Sequence, residues 1–206
     1  MTTFYLIRHG SNDFYSHTLV GRKPGIHLNE AGRRESKRLA ERMAGLKIEK
    51  IFSSPLERCR ETAEPIAKEL GVSIAFSDAL LEVDFGDWTG QAFAELDADK
   101  RWKQWNAFRS CARAPNGEAM LEVQSRITNF IMDAHSKLPH GTLALVSHAD
   151  PLRAAIGYFL GASLDFIRRI ELSPASLTIL EISDWDAQIR CLNLQPGAQA
   201  DAQATG

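Results

Sequence analysis

The chain has 206 residues, 44% hydrophobic and 24% charged, which suits one domain with a substantial core. A formal net charge of -2 excludes global attraction to nucleic acid or to an anionic membrane, so positive potential must be local and a small anion is the fitting ligand class. Three scattered cysteines, Cys59, Cys111 and Cys191, form no C-x-x-C pair and read as buried small hydrophobes in a reducing compartment. The opening MTTFYLIR is charged too soon for a secretory signal and no apolar run has membrane-spanning length, so a cytoplasmic location is expected.

In chain order, TFYLI (3–7), KIEKIF (47–52), VSIAF (72–76), TLALVS (142–147), SLTILEI (176–182) and QIRCLNL (188–194) read as strands. Asn29 caps a helix running to about Leu46, with Leu39, Met43 and Leu46 on one face. SPLE (54–57) marks the next helix start, Ser54 and Glu57 being spaced as a capping box with Pro55 at the first helical position. Ala63, Ile66, Ala67 and Leu70 give that helix its apolar side, and Pro65 inside it predicts a kink or a split. Further helices are predicted over 118–137, with Leu121, Ile127, Phe130, Ile131 and Ala134 inward, and over 151–161. ISDWDAQI reads as the turn between two final strands paired antiparallel at an edge. This alternation predicts an α/β three-layer sandwich, a mostly parallel central sheet flanked by helices, in one domain over residues 1–194. Residues 195–206, QPGAQADAQATG, lack apolar content and are expected to form a disordered tail.

Open α/β sheets bind ligands beyond the carboxyl ends of their strands. Here the first strand ends in Arg8 and His9, the second runs through IFSSPLER into a helix whose first turn holds Arg58, and the fourth ends at His148. Singly, Arg8 or Arg58 reads as a solvated or ion-paired surface cation and His148 as a structural histidine. Two arginines, two histidines and a helix N-terminus at successive strand ends make an anion pocket, and guanidinium geometry favours phosphate. The loop EVDFGDW offers Glu82, Asp84 and Asp87 as acids, and spacing does not choose among them. Gly86 and Gly90 read there as turn residues and Trp88 as packing. In VGRKPGIHLNEAG (20–32), Gly21 can bring backbone N–H groups to a phosphate and Arg22 and His27 can add charge, or Arg22 and Lys23 are ordinary solvated cations. The six histidines show no metal-ligand spacing.

LIRHG, IFSSPLERCRETA, LLEVDFGDWTG and LVSHADPLR together resemble, in order, the four signature blocks of the histidine phosphatase superfamily, the phosphoglycerate mutase-like fold. The resemblance implies that His9 is phosphorylated during turnover, that Arg8, Arg58 and His148 clamp the phosphate, and that Glu82 is the proton donor. It implies a phosphatase acting on a small phosphorylated metabolite, with no metal or other cofactor and no nucleic-acid or membrane partner. A phosphoglycerate mutase, or a non-catalytic phospholigand-binding module, is the alternative. Asn12 stands where the family often has threonine and is a candidate phosphate contact through its amide. Tyr15 stands where asparagine is frequent and is expected on the substrate side. Substrate choice is expected from residues 91–120, where Trp102, Trp105 and Phe108 recur at helical spacing among Arg101, Lys103, Arg109 and Arg113. The aromatics read as a core-facing stripe or as a lid over the ligand, and the arginines stay open.

Overall fold

The backbone of Thr2–Arg8 (β1) lies between two partners, parallel to Thr142–Ser147 (β4) and antiparallel to Leu177–Ile182 (β5). In this computed structural model, which describes residues 1–14 and 16–195, six strands form one sheet in the order β3-β2-β4-β1-β5-β6. Lys50–Ser53 (β2) and Ile74–Phe76 (β3) extend its parallel half, and Ala187–Leu194 (β6) closes the other edge antiparallel to β5. The mostly parallel sheet and the antiparallel edge pair are as the sequence predicts. The expectations for Tyr15 and for the tail beyond residue 195 lie outside the described residues.

Helices cover both faces because the central strands are apolar on both. Along β4, Leu143 and Leu145 face one core with Phe4, Leu6 and Leu180, while Ala144 and Val146 face the other with Ile7 and Ile51. Glu30–Met43 (α1) and Glu57–Leu70 (α2) bury Leu39, Met43, Ala63 and Ile66 on the second face. Met120–Lys137 (α5) and Ala149–Phe159 (α6) bury Ile127, Ile131, Leu152 and Ile156 on the first. Each such aliphatic side chain contributes roughly 1.5–3 kcal/mol by leaving water. Two shorter helices, Phe93–Leu96 (α3) and Lys100–Ala107 (α4), lie between the strand-rich halves of the chain. Among the described residues no helix is long and apolar enough to cross a membrane.

Six local expectations need correction. The stretch 47–49 stays outside β2, which starts at Lys50. The helix expected from Ser54 starts at Glu57, capped by Leu56 without a side-chain bond, because Ser54 is still extended and its N–H bonds Val146 O at 2.9 Å. Of the kink or split expected at Pro65, the split does not occur, and α2 continues to Leu70 on the packing of Ala63 and Ile66. Leu121 is exposed because the inward stripe of α5 runs through Met120, Val123, Ile127, Ile131 and Ala134, one position out of the predicted phase at its start. Phe108 is exposed because α4 ends at Ala107, although Trp102 and Trp105 do face the core; Cys111, three residues on, is exposed too, unlike buried Cys59.

Candidate active site

Strand register delivers the first residues. Arg8 pairs with Ser147 across β1 and β4, so Arg8–His9 and Ser147–His148 leave the sheet side by side, and His9 N–H bonds Ser147 O at 3.0 Å. Ser53 opposite Val146 brings β2 to the same edge, four residues before α2 begins. The loop after His9 passes tightly over α1, and a Cβ on Gly10 would sit 2.8 Å from the Gly32 carbonyl, so both backbones close there only without side chains.

His9 is 5% exposed, and its Nδ1 lies 2.8 Å from Gly10 O. A carbonyl only accepts, so Nδ1 carries the proton and Nε2 the lone pair. Arg58 Nε donates to that Nε2 at 3.3 Å. Burial, then the Arg58 and Arg8 charges, hold the ring's pKa well below 6.5, against the Gly10 carbonyl, so it is neutral at pH 7. Arg58 is 1% exposed; its Nη2 donates to Gly21 O at 2.8 Å and its Nη1 has no hydrogen-bond partner among the described residues. A buried, unsatisfied guanidinium N–H costs about 1–3 kcal/mol, which an anionic oxygen would recover. Arg8, also buried, donates from Nη1 to Leu172 O.

His148 caps α6 with its ring centroid 5.2 Å from that of His9. Its Nε2 lies 2.9 Å from Ser54 Oγ and 3.4 Å from Cys59 Sγ. Here is the use of the Ser54 hydroxyl, which satisfies a buried imidazole instead of capping a helix. Burial, then Arg58, His9, Arg126 and Arg8, push the His148 pKa well below 6.5. Fully buried, and not among the residues lining the cavity formed by Arg8, His9 and Arg58, His148 is therefore an uncharged hydrogen-bonding group, and positive charge comes from the two arginines.

Glu82 follows a short 3-10 turn, Asp78–Leu80, and its carbonyl accepts from Arg22 Nε at 2.8 Å and Arg126 Nη2 at 3.1 Å. Burial first, then the Asp150 carboxylate, raise its pKa to about 7, although Arg58, the Val83 N–H and Arg8 act in the other direction. Of the three candidate acids, Glu82 is the one lining a cavity of about 180 Å³ with Arg8, His9, Asn12, Gly21 and Arg58. Asp84 turns to the Gly86 N–H at 2.9 Å and Asp87 to the Asn116 amide at 3.1 Å. Gly86 and Gly90 adopt left-handed φ of 50° and 88°, and Trp88 is buried, as the loop reading expects. Roomier cavities of about 620 and 560 Å³ lie elsewhere: the first is lined by His27 and Arg33 with Asp13 and Glu30, the second by Lys103, Arg168 and Asp97 with no imidazole, and neither includes a strand-end residue of β1, β2 or β4.

A sequence profile of the histidine phosphatase superfamily (branch 1) matches residues 4–195. The chain belongs to that superfamily. Phosphoserine phosphatase 1 of Hydrogenobacter thermophilus is 26% identical over 199 residues, covering 94% of this chain and 93% of that protein. The probable phosphoglycerate mutase GpmB of Citrobacter koseri is 29% identical over 187 residues, covering 89% and 86%. The solved structure of Bacillus stearothermophilus YhfR superposes with a TM-score of 0.87 at 25% identity, covering 94% of this chain and 98% of that one. With its phosphatase-named relative, the superfamily match makes the protein a phosphomonoester hydrolase of the histidine phosphatase type.

Within this histidine phosphatase the outer residues depart from expectation. Arg22 neither faces the cavity nor stays solvated: its guanidinium bonds the Glu82 carbonyl and pairs with Glu118 at 2.9 Å, tying its loop to the one bearing Glu82. His27 pairs with Glu61, away from the cavity. Gly21 does line the cavity, with its carbonyl engaged by Arg58. Asn12 lines it too; its Oδ1 accepts from Phe14 N–H at 2.9 Å, which leaves the NH₂ as its remaining donor. Arg101 pairs with Asp99 and Arg113 with Glu122 at the surface, so neither belongs to a lid. Arg109 is buried against Asp150, a cavity residue that sequence reasoning passed over. Its only signal was position, two residues beyond His148 in the same block. Among the described residues no group of three or more His, Cys, Asp or Glu is arranged to hold a metal.

Proposed function

We propose that the protein, as one domain over residues 1–194, hydrolyses small phosphomonoesters in two steps through a phosphohistidine at His9. The observation carrying this reading is a neutral imidazole whose Nδ1 is held by a carbonyl and whose Nε2 lone pair meets Arg58, in one cavity with an acid of pKa about 7. Arg8, Arg58, His148 and the Asn12 amide receive the phosphoryl oxygens, with Arg58 Nη1 gaining the partner it lacks. The His9 Nε2 lone pair attacks phosphorus as the ester P–O bond breaks, and Glu82 gives its proton to the departing oxygen. Water then attacks the phosphohistidine, Glu82 takes the water proton, and the P–N bond breaks to release phosphate.

Protonation of the leaving oxygen matters for an alkyl or sugar phosphate and little for p-nitrophenyl phosphate, whose leaving group departs as an anion. Glu82→Gln is expected to slow single-turnover transfer to His9 by roughly 10²- to 10⁴-fold for an alkyl ester and much less for the aryl ester. Equal losses with both would remove Glu82 from the acid role and send the comparison to Asp84 and Asp87. The GpmB relative supplies the competing reading, mutase-type transfer. Incubation with 3-phosphoglycerate decides between them, because isomerisation outpacing phosphate release would overturn hydrolysis.

A further inference from the structure

Two carboxylates share the catalytic cavity, Glu82 and Asp150, and only the first has a role so far. Asp150 stands in the first turn of α6, and both its oxygens are engaged. Arg109 Nη1 reaches Oδ2 at 2.7 Å and Arg153 Nη1 reaches Oδ1 at 3.2 Å. Arg109 is itself fixed by Asn106 Oδ1 at 3.1 Å and packs over the Trp105 ring, and Arg153 Nε is held by Ile170 O at 2.8 Å. So anchored by Arg109 from the segment just after α4 and by Arg153 from its own helix, the carboxylate is held in place, and of these three charged groups it is the one on the cavity wall. We propose that Asp150 is a positioning residue for proton transfer: its pinned negative charge on the wall of the shared pocket keeps the proton on Glu82 until the leaving oxygen takes it.

The surroundings leave Asp150 as the negative group acting on Glu82. Arg8 from β1 and Arg58 from α2 favour the carboxylate form of Glu82 and oppose Asp150. Arg22 and Arg126 meet Glu82 at its carbonyl, and Glu118 pairs with both. His9 and His148 are uncharged, and burial pushes the Cys59 thiol up to about 12, so it stays protonated. Asp150 is ionised throughout, since Arg109 and Arg153 hold it down at about 2 despite burial. The benefit extends to the second step, where a more basic Glu82 takes a proton from water more readily.

The inference rests on the hydrolytic reading, and the test separates the two. Single-turnover transfer from an alkyl phosphate and from p-nitrophenyl phosphate is followed over pH 5–9 in wild type, Glu82→Gln, Asp150→Asn and Asp150→Glu. Asp150→Asn is expected to move the basic limb of the alkyl-ester profile down by roughly one pH unit, about a tenfold loss above the limb. The aryl ester should barely change, and Asp150→Glu should restore the limb. If Asp150→Asn folds poorly, the double variant Asp150→Asn/Arg109→Gln, which removes the cation left without its partner, is expected to show the same displacement. An unmoved limb beside an intact Glu82→Gln contrast overturns this inference alone, as does an equal loss with both esters in Asp150→Asn. Absence of the Glu82→Gln contrast overturns the role of Glu82, and that of Asp150 with it.

Discussion

The sheet edge and the acidic wall beside it contribute to one cavity but are held by different forces. Arg8, His9 and His148 are placed by the backbone ladder between β1 and β4, and Arg58 by the first turn of a helix packed on that sheet. Glu82 and Asp150 are placed by side chains: Arg22 and Arg126 grip the Glu82 carbonyl, and Arg109 and Arg153 grip Asp150. A ladder survives the loss of any one side chain, whereas a polar network does not. Changes at the edge should therefore cost chemistry and leave the fold, while changes to the wall's supports should cost both.

The largest effect tests the edge. His9→Ala is expected to lower turnover on the order of 10⁴- to 10⁶-fold, the range seen when a nucleophile is removed, while the variant still binds inorganic phosphate and melts near wild type. Native enzyme stopped in mid-turnover should carry an acid-labile phosphoryl group. Near-wild-type activity in the variant, or an acid-stable phosphoenzyme, would take His9 out of the nucleophile's place. Arg58→Ala comes next, with a loss of roughly 10²- to 10³-fold. Arg58→Lys should restore little, because a single ammonium cannot reach Gly21 O, His9 and a phosphoryl oxygen at once. Full rescue by lysine would mean that charge alone matters at this position.

On the wall, Arg126→Met removes bonds to Ala79 O, Glu82 O and Glu118 together. The expected outcome is about 1–3 kcal/mol of lost stability in urea unfolding and a tenfold or smaller fall in alkyl-ester transfer, with the aryl ester spared. A rate loss with no stability loss would erase the distinction between wall and edge.

The same distinction explains what the sequence made legible. Edge residues announce themselves because a strand ending in Arg8–His9 or in Ser147–His148 is a local pattern. The Asn29 cap is equally local and forms as expected, with Oδ1 accepting from Gly32 N at 2.9 Å. The wall is non-local. That Arg22 meets Glu118 and that Arg109 reaches Asp150 are encounters between residues far apart in the chain, as is the contact of Ser54 with His148 at the edge. Each residue alone reads as a cap, a solvated cation or a loop arginine, and Glu82 was separable from Asp84 and Asp87 only through resemblance.

The smallest effect is on the pH dependence of stability, where edge and wall act with opposite sign. His9 and His148 are buried neutral, with pKa values held well below 6.5. As pH falls through 6.5 the unfolded chain binds their protons and the folded chain does not, so their contribution is intact above 6.5 and declines below it. Glu82, raised from 4.5 to about 7, keeps a proton in the folded chain that the unfolded chain has released, so between those values it lowers stability as pH rises. Between pH 5 and 6 the two histidines thus make stability rise with pH, and Glu82 opposes them by close to one proton. Each proton of difference is a slope of about 1.4 kcal/mol per pH unit. Glu82→Gln removes the opposing proton and should steepen the slope by one further proton, and other groups cancel because both proteins share them. Urea titrations at several pH values between 5 and 6 read the difference directly. Identical slopes would mean that folded Glu82 is ionised like a carboxylate in water, and the proton assigned to the wall would not be there.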